Sequence, residues 1–142
     1  MAVKKHKLEQ AIDEDFCLLG VVSDEVDYRF CWRLNLELGT DFRREEDLHL
    51  YHKKLESEQS FPLFLHSDKL AFLTYRIIGN RRDESVFLDE LKNLDYLIHI
   101  QGEIYPDAIG EFIGKVSAVQ EVRMCVPVDL LKLKNRDRLY LW

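Results

Sequence analysis

The chain's 142 residues make about one ordinary domain, and its hydrophobic share of 46% beside a charged share of 32% excludes a disordered chain. A formal net charge of -6 argues against a general nucleic-acid binder, since such proteins neutralise phosphates with surplus Lys and Arg. No run approaches the roughly 18 uninterrupted apolar residues of a bilayer span, and MAVKKHKLEQ lacks the apolar stretch of a secretory leader, so the cytoplasm is the expected compartment.

Residues 1–7 read as a flexible tail ahead of a single domain. DFCLLGVVS (15–23) is apolar on both faces, as expected of a strand inside a covered sheet. Ser23 offers an N-cap, and Asp24, Glu25 and Asp27 place negative charge on a helix's first turn. That helix runs to about Leu38, where Gly39 supplies a left-handed stop. Val26, Phe30, Cys31, Leu34 and Leu38 share its core face at 100° per residue. Tyr28, Trp32 and Leu36 form a second apolar row to the side, more than one sheet contact needs.

DLHLYHKK (47–54) suggests a short strand and KKLESEQS (53–60) a charged loop. SFPLFLH and KLAFLTYRIIGN flank Ser67 and Asp68 as the arms of a hairpin, and GNRRDES (79–85) reads as a loop. In DYLIHIQG, Tyr96, Ile98 and Ile100 face one way while Leu97 and His99 face the other. Pro106 suits N1 of a second helix, with Ile109, Phe112, Ile113, Val116 and Val119 as its stripe. EVRMCVPV follows as a strand with Val122, Met124, Val126 and Val128 on one face, and KLKNRDR (132–138) leads to LYLW. The expectation is one α+β domain: a mixed, mostly antiparallel sheet with two main helices, loosely ferredoxin-like with an inserted hairpin.

Cys17, Cys31 and Cys125 sit in apolar surroundings without a C-x-x-C pair, which reads as buried free thiols. His49 and His52 point apart if HLYH is a strand, His6 and His66 read as surface residues, and His99 as a satisfied or partly exposed polar group; no metal or cofactor is expected. The glycines of GEIYPDAIGEFIG have the wrong spacing for a phosphate cradle. GNRR (79–82) and KLKNRDR, with Tyr75 or Tyr140 to stack on a base, are offset by acidic clusters at 13–15, 24–27 and 45–47.

LDELKNLDY (88–96) looks most like chemistry, because Glu90 and Asp95 are a carboxylate pair beside Tyr96. Such pairs divide acid and base roles where their environments separate their pKa values. They equally begin a helical turn and enter a strand. This stretch resembles the pattern that names the IPExxxVDY family, small proteins of Bacteroidetes-type bacteria. Leu88 stands for the Ile, Glu90 for the Glu, Leu94 for the Val, and Asp95 with Tyr96 for the Asp-Tyr. Asp89 stands where the family has Pro, which removes a fixed φ. LLGVVSDEVDYRFCWRLN (18–35) is similar to that family's first strand and helix. The resemblance implies a single small domain, and no activity, substrate or cofactor.

Three functional expectations follow. The first is a non-catalytic interaction protein, binding itself or another protein through Tyr28, Trp32 and Leu36. The second is a small-ligand-binding protein or hydrolase using Glu90, Asp95 and His99, and the third an RNA-associated factor.

Overall fold

Phe16 and Leu18 are buried, and so are Cys17, Leu19 and Val21 between and after them. A strand whose alternate residues are all hidden must have a core on each face, and β1 (Phe16–Ser23) lies inside a six-stranded sheet. The structure, a computed structural model, describes residues 16–53, 55–82, 85–140 and 142. The tail expected at 1–7 lies outside them.

The further strands are β2 (Arg43–His52), β3 (Ser57–Asp68), β4 (Leu73–Gly79), β5 (Arg81–Arg82), β6 (Ser85–Val86), β7 (Tyr96–Gly102) and β8 (Val122–Pro127). The sheet order is β2-β3-β4-β7-β1-β8, and every neighbouring pair is antiparallel, not mixed as expected. β5 and β6 form a separate small hairpin. Helix α1 (Asp27–Leu38) joins β1 to β2, and α2 (Pro106–Ser117) joins β7 to β8, which flank β1 on either side. The described residues thus form one α+β domain.

Both helices cover one face. Phe30, Cys31 and Leu34 of α1, with Ile109, Phe112, Ile113 and Val116 of α2, pack on Cys17, Leu19, Val21, Ile77, Ile98 and Ile100. The other face carries Phe16, Leu18, Phe61, Leu63, Ile78 and Leu97. It is covered by Phe87, Leu88 and Leu94, and by Leu130, Leu133 and Leu139 from the 3₁₀ turns after β8. A Cβ on Gly20 would sit 2.2 Å from Leu94 Cδ1, so glycine here lets the 88–95 segment close on β1.

The strand from Tyr96, the Pro106 start, the second helix's stripe and the Gly39 stop (φ 72°) all follow their sequence pattern. Other expectations are corrected. Helix α1 starts after Val26, which is exposed, and no side chain caps it. Ser23 is held elsewhere: its amide donates to Asp95 Oδ2 at 3.0 Å and its hydroxyl to the Glu121 carbonyl at 2.8 Å. β3 begins at Ser57, inside the expected loop, and its reversal into β4 occupies residues 69–72, because Ser67 and Asp68 still pair with Thr74 and Leu73. In β8 the pairing skips at Arg123, a bulge that turns Met124 outward and puts Val122 and Cys125 against the helices.

The three thiols are buried, and burial pushes Cys17 and Cys125 up to about 12 and also raises Cys31, where Asp27 adds to it. A thiol reagent should therefore label the native protein slowly at all three and the denatured protein fast. Rapid native labelling of any one, located by mass spectrometry, would contradict the packing of both helices on β1.

Candidate functional site

The segment after β4 is organised from inside by Asn80, which is fully buried. Its side-chain amide donates to the carbonyls of Leu91 and Leu94, both at 2.8 Å, and its side-chain oxygen accepts from the Leu88 amide at 3.0 Å. Its backbone amide donates to the Asp95 carbonyl, and its carbonyl accepts from the Phe87 amide. The loop wrapped around Asn80 is LDELKNLDY, with a 3₁₀ turn at Asp89–Leu91.

Each side chain singled out in that loop reaches a different element. Glu90 Oε2 accepts from the amides of Lys134 at 2.7 Å and Asn135 at 3.2 Å, and Oε1 from Asn135 Nδ2 at 2.7 Å. Burial alone raises this carboxyl's pKa, but those donors outweigh it and hold it below its ordinary value. Asp95 binds the end of β1 through the Ser23 amide, and its own amide donates to the Val21 carbonyl at 2.8 Å. Arg81 Nη1 lies 3.5 Å from its other oxygen. Tyr96 stacks on Phe30 at 4.4 Å and donates its hydroxyl to the Glu25 carbonyl, and burial raises its pKa. No contact among the described residues joins Glu90, Asp95 and His99.

Asp95 and Tyr96 also line an open cleft of about 600 Å³ between the start of α1 and the arginines Arg44, Arg81 and Arg82. Arg44 and Arg82 both pair with Asp47. The opposite charges there answer one another, and the hydroxyls of Ser23 and Tyr96 on its walls are already committed to the carbonyls of Glu121 and Glu25.

The second row of α1 is open to solvent: Tyr28 is 64%, Trp32 57% and Leu36 62% exposed. The Arg33 guanidinium lies 5.5 Å from the Trp32 ring and its Nε pairs with Glu121 at 3.1 Å. The edge of the row is therefore pinned to the turn before β8, while its aromatic centre stays uncovered by any described segment.

His99 departs from its expected setting. It is buried, and neither ring nitrogen has a hydrogen-bond partner. His49 Nδ1 lies 3.1 Å from Glu58, and His66 Nδ1 accepts from the Asp41 amide. Tyr75 is in the helix-side core, edge-on to Phe42, rather than free to stack on a base. Among the described residues no three His, Cys, Asp or Glu side chains are grouped to hold a metal, and no helix is long and apolar enough to cross a membrane. Sequence reasoning missed Asn80, hidden in an apparent loop, and Arg76, a cation in the middle of the apolar run LTYRIIG. No family model, curated protein or solved structure matches the chain.

Because Glu90's folded pKa is depressed, its contribution is present above the unfolded carboxylate range and lost as pH falls through the folded value. Glu90→Gln should cost about 1 kcal/mol at neutral pH, the net worth of exposed charge-assisted bonds. Denaturant curves of both proteins should converge as pH is lowered into the acid range. A gap that stays constant with pH would show that the carboxylate's charge is not what holds residues 134–135.

Proposed function

We propose that the chain is a non-catalytic protein-interaction module of the IPExxxVDY family, with the outer row of α1 as its contact surface. The observation that carries this reading is the exposure of Tyr28, Trp32 and Leu36 along one line of a helix whose opposite face is already buried in the core. An aromatic row at i, i+4 and i+8 flanked by an arginine has the composition of interface centres, which favour Trp, Tyr and Arg. The partner is another protein or a second copy of this chain.

The family reading is supported by the way the motif is used. Leu88 and Leu94 are core residues, and Glu90, Asp95 and Tyr96 fasten their loop to three other segments. That is a reason for those residue types at that spacing without any catalysis. The sheet order also supports a ferredoxin-type arrangement: β8, β1, β7 and β4 alternate as such a fold requires, with two helix crossovers on one face and β2–β3 added at the edge.

Trp32→Ala should leave stability within about 1 kcal/mol, as for a surface substitution that forfeits one exposed cation–π contact. Association, followed by sedimentation of the purified chain over a wide concentration range and by pull-down with native lysate, should weaken. A loss of roughly 3–5 kcal/mol, the cost of truncating a buried tryptophan, with association unchanged would overturn the proposal. Self-association in sedimentation would identify the partner as a second copy.

A further inference from the structure

On the face opposite the helices, β4 and β7 set Arg76 directly across from His99. Gln101 follows two residues along β7, opposite Phe16 on β1. Successive odd residues of β7 share a face, so His99 and Gln101 point the same way as Leu97. His99 is 1% exposed, and its Nδ1 and Nε2 both lack a hydrogen-bond partner; Arg76 Nε is buried and equally unpartnered. The imidazole stacks on Phe16 at 4.5 Å and meets the Trp142 ring at 4.8 Å. That same indole lies 4.5 Å from the Arg76 guanidinium, and Gln101 Nε2 donates to the Trp142 carbonyl at 3.3 Å. Tyr140 stands edge-on to Phe16 beside it.

The hydrogen-bonding of this group does not balance. Arg76 Nη1 uses the Gln101 side-chain oxygen at 2.9 Å, which leaves the Arg76 Nε–H and the imidazole N–H without acceptors. Buried donors without partners cost about 1–3 kcal/mol each, and persist where a ligand, ion or mechanism accounts for them. Among the described residues no Asp or Glu side chain hydrogen-bonds the group. Glu45 on β2 acts on Arg76 through space, and the Leu139 backbone lies near the ring without completing a hydrogen bond. A fixed cation and a titratable ring, both on rigid strands and both with buried nitrogens lacking partners, call for an acceptor-rich, negatively charged partner beside the Gln101 amide.

We propose that Arg76, His99 and Gln101 form a binding site for a small oxyanion, a carboxylate or a phosphate, which Trp142 closes in this structure. The guanidinium fork and the Gln101 amide hold the anion's oxygens, and His99 donates to it. Trp142 must swing aside, giving up its stacking on Arg76 and its bond from Gln101. Burial first, and then the Arg76 charge, push His99 down to about 4, so the ring is neutral near pH 7. An anion in the site offsets both causes, so binding draws a proton onto the ring. Affinity must therefore rise as pH falls, by up to tenfold per pH unit while one proton is taken up with each anion.

The test uses the full chain carrying Trp32→Phe, so that Trp142 is the remaining tryptophan reporting by fluorescence. Phosphate and, separately, acetate are titrated against chloride at constant ionic strength, at pH 7 and pH 5. The expected result is a saturable change in indole emission with one or both probes, tighter at pH 5, accompanied by an upward shift of the His99 pKa in NMR titration. Response to acetate alone assigns a carboxylate ligand, and response to phosphate alone a phosphate. Arg76→Gln should weaken binding at least tenfold, and His99→Phe, which keeps the stack on Phe16, should remove the pH dependence. No saturable response to either probe, or a His99 pKa in the parent protein indifferent to both anions, would overturn the proposal even if Arg76→Gln fails to fold.

Discussion

One buried amide side chain fixes the loop that leads from β4 into β7. Asn80 leaves β4 on one side of the sheet's middle, and its three side-chain hydrogen bonds gather Leu88, Leu91 and Leu94 around it. A fully satisfied polar group in low dielectric is rigid and expensive to disrupt, because each bond lost strands a buried partner. Fixing that loop seats Leu88 and Leu94 in the core opposite the helices, Leu94 against the bare backbone of Gly20. It also delivers the chain into β7 with Asp95 on the end of β1 and Tyr96 under α1.

The consequence reaches the surface of the molecule. Tyr96 holds the Glu25 carbonyl and the Phe30 ring, so the start of α1 is set by the same loop that Asn80 organises. With Phe30, Cys31 and Leu34 turned inward, helical geometry forces Tyr28, Trp32 and Leu36 outward. On the other side, Glu90 ties the loop to residues 134–135 of the segment that covers the second face and carries Trp142 onto Arg76 and His99. The exposed row of α1 and the buried Arg76–His99 group are thus both positioned from one loop.

Periodic elements were legible in the sequence because burial writes itself as spacing. Tyr96, Ile98 and Ile100 against Leu97, and Ile109 through Val119, are such cases. What was not legible depends on partners distant in the chain. Ser23 has the chemistry of an N-cap, but its amide is committed to Asp95, 72 residues away, and the helix starts later. The first residues of β2 lie ahead of the strand read at 47–54, and the start of β3 looks like charged loop, because both are paired far out at the sheet edge, where solvent permits RREED and SEQS in strands. The Arg123 bulge leaves no trace in the alternation of EVRMCVPV. Asn80 has the composition of a turn, and only its depth reveals its role. The outward row of α1 was visible from spacing, whereas His99 gave no sign that its nitrogens would be left without partners.

The claim that LDELKNLDY is a fixed structural clasp has a direct physical measure in native-state hydrogen exchange. The amides of Leu88 and Asp95 lie in the loop itself and that of Phe87 immediately precedes it, and they bond to Asn80 or to β1. They should exchange only through global unfolding, with the same opening free energy as the central amides of β7 and the same response to denaturant. Exchange of the Leu88 amide as fast as that of the exposed 69–72 turn, while β7 stays protected, would mean that the loop opens by itself and would contradict the account.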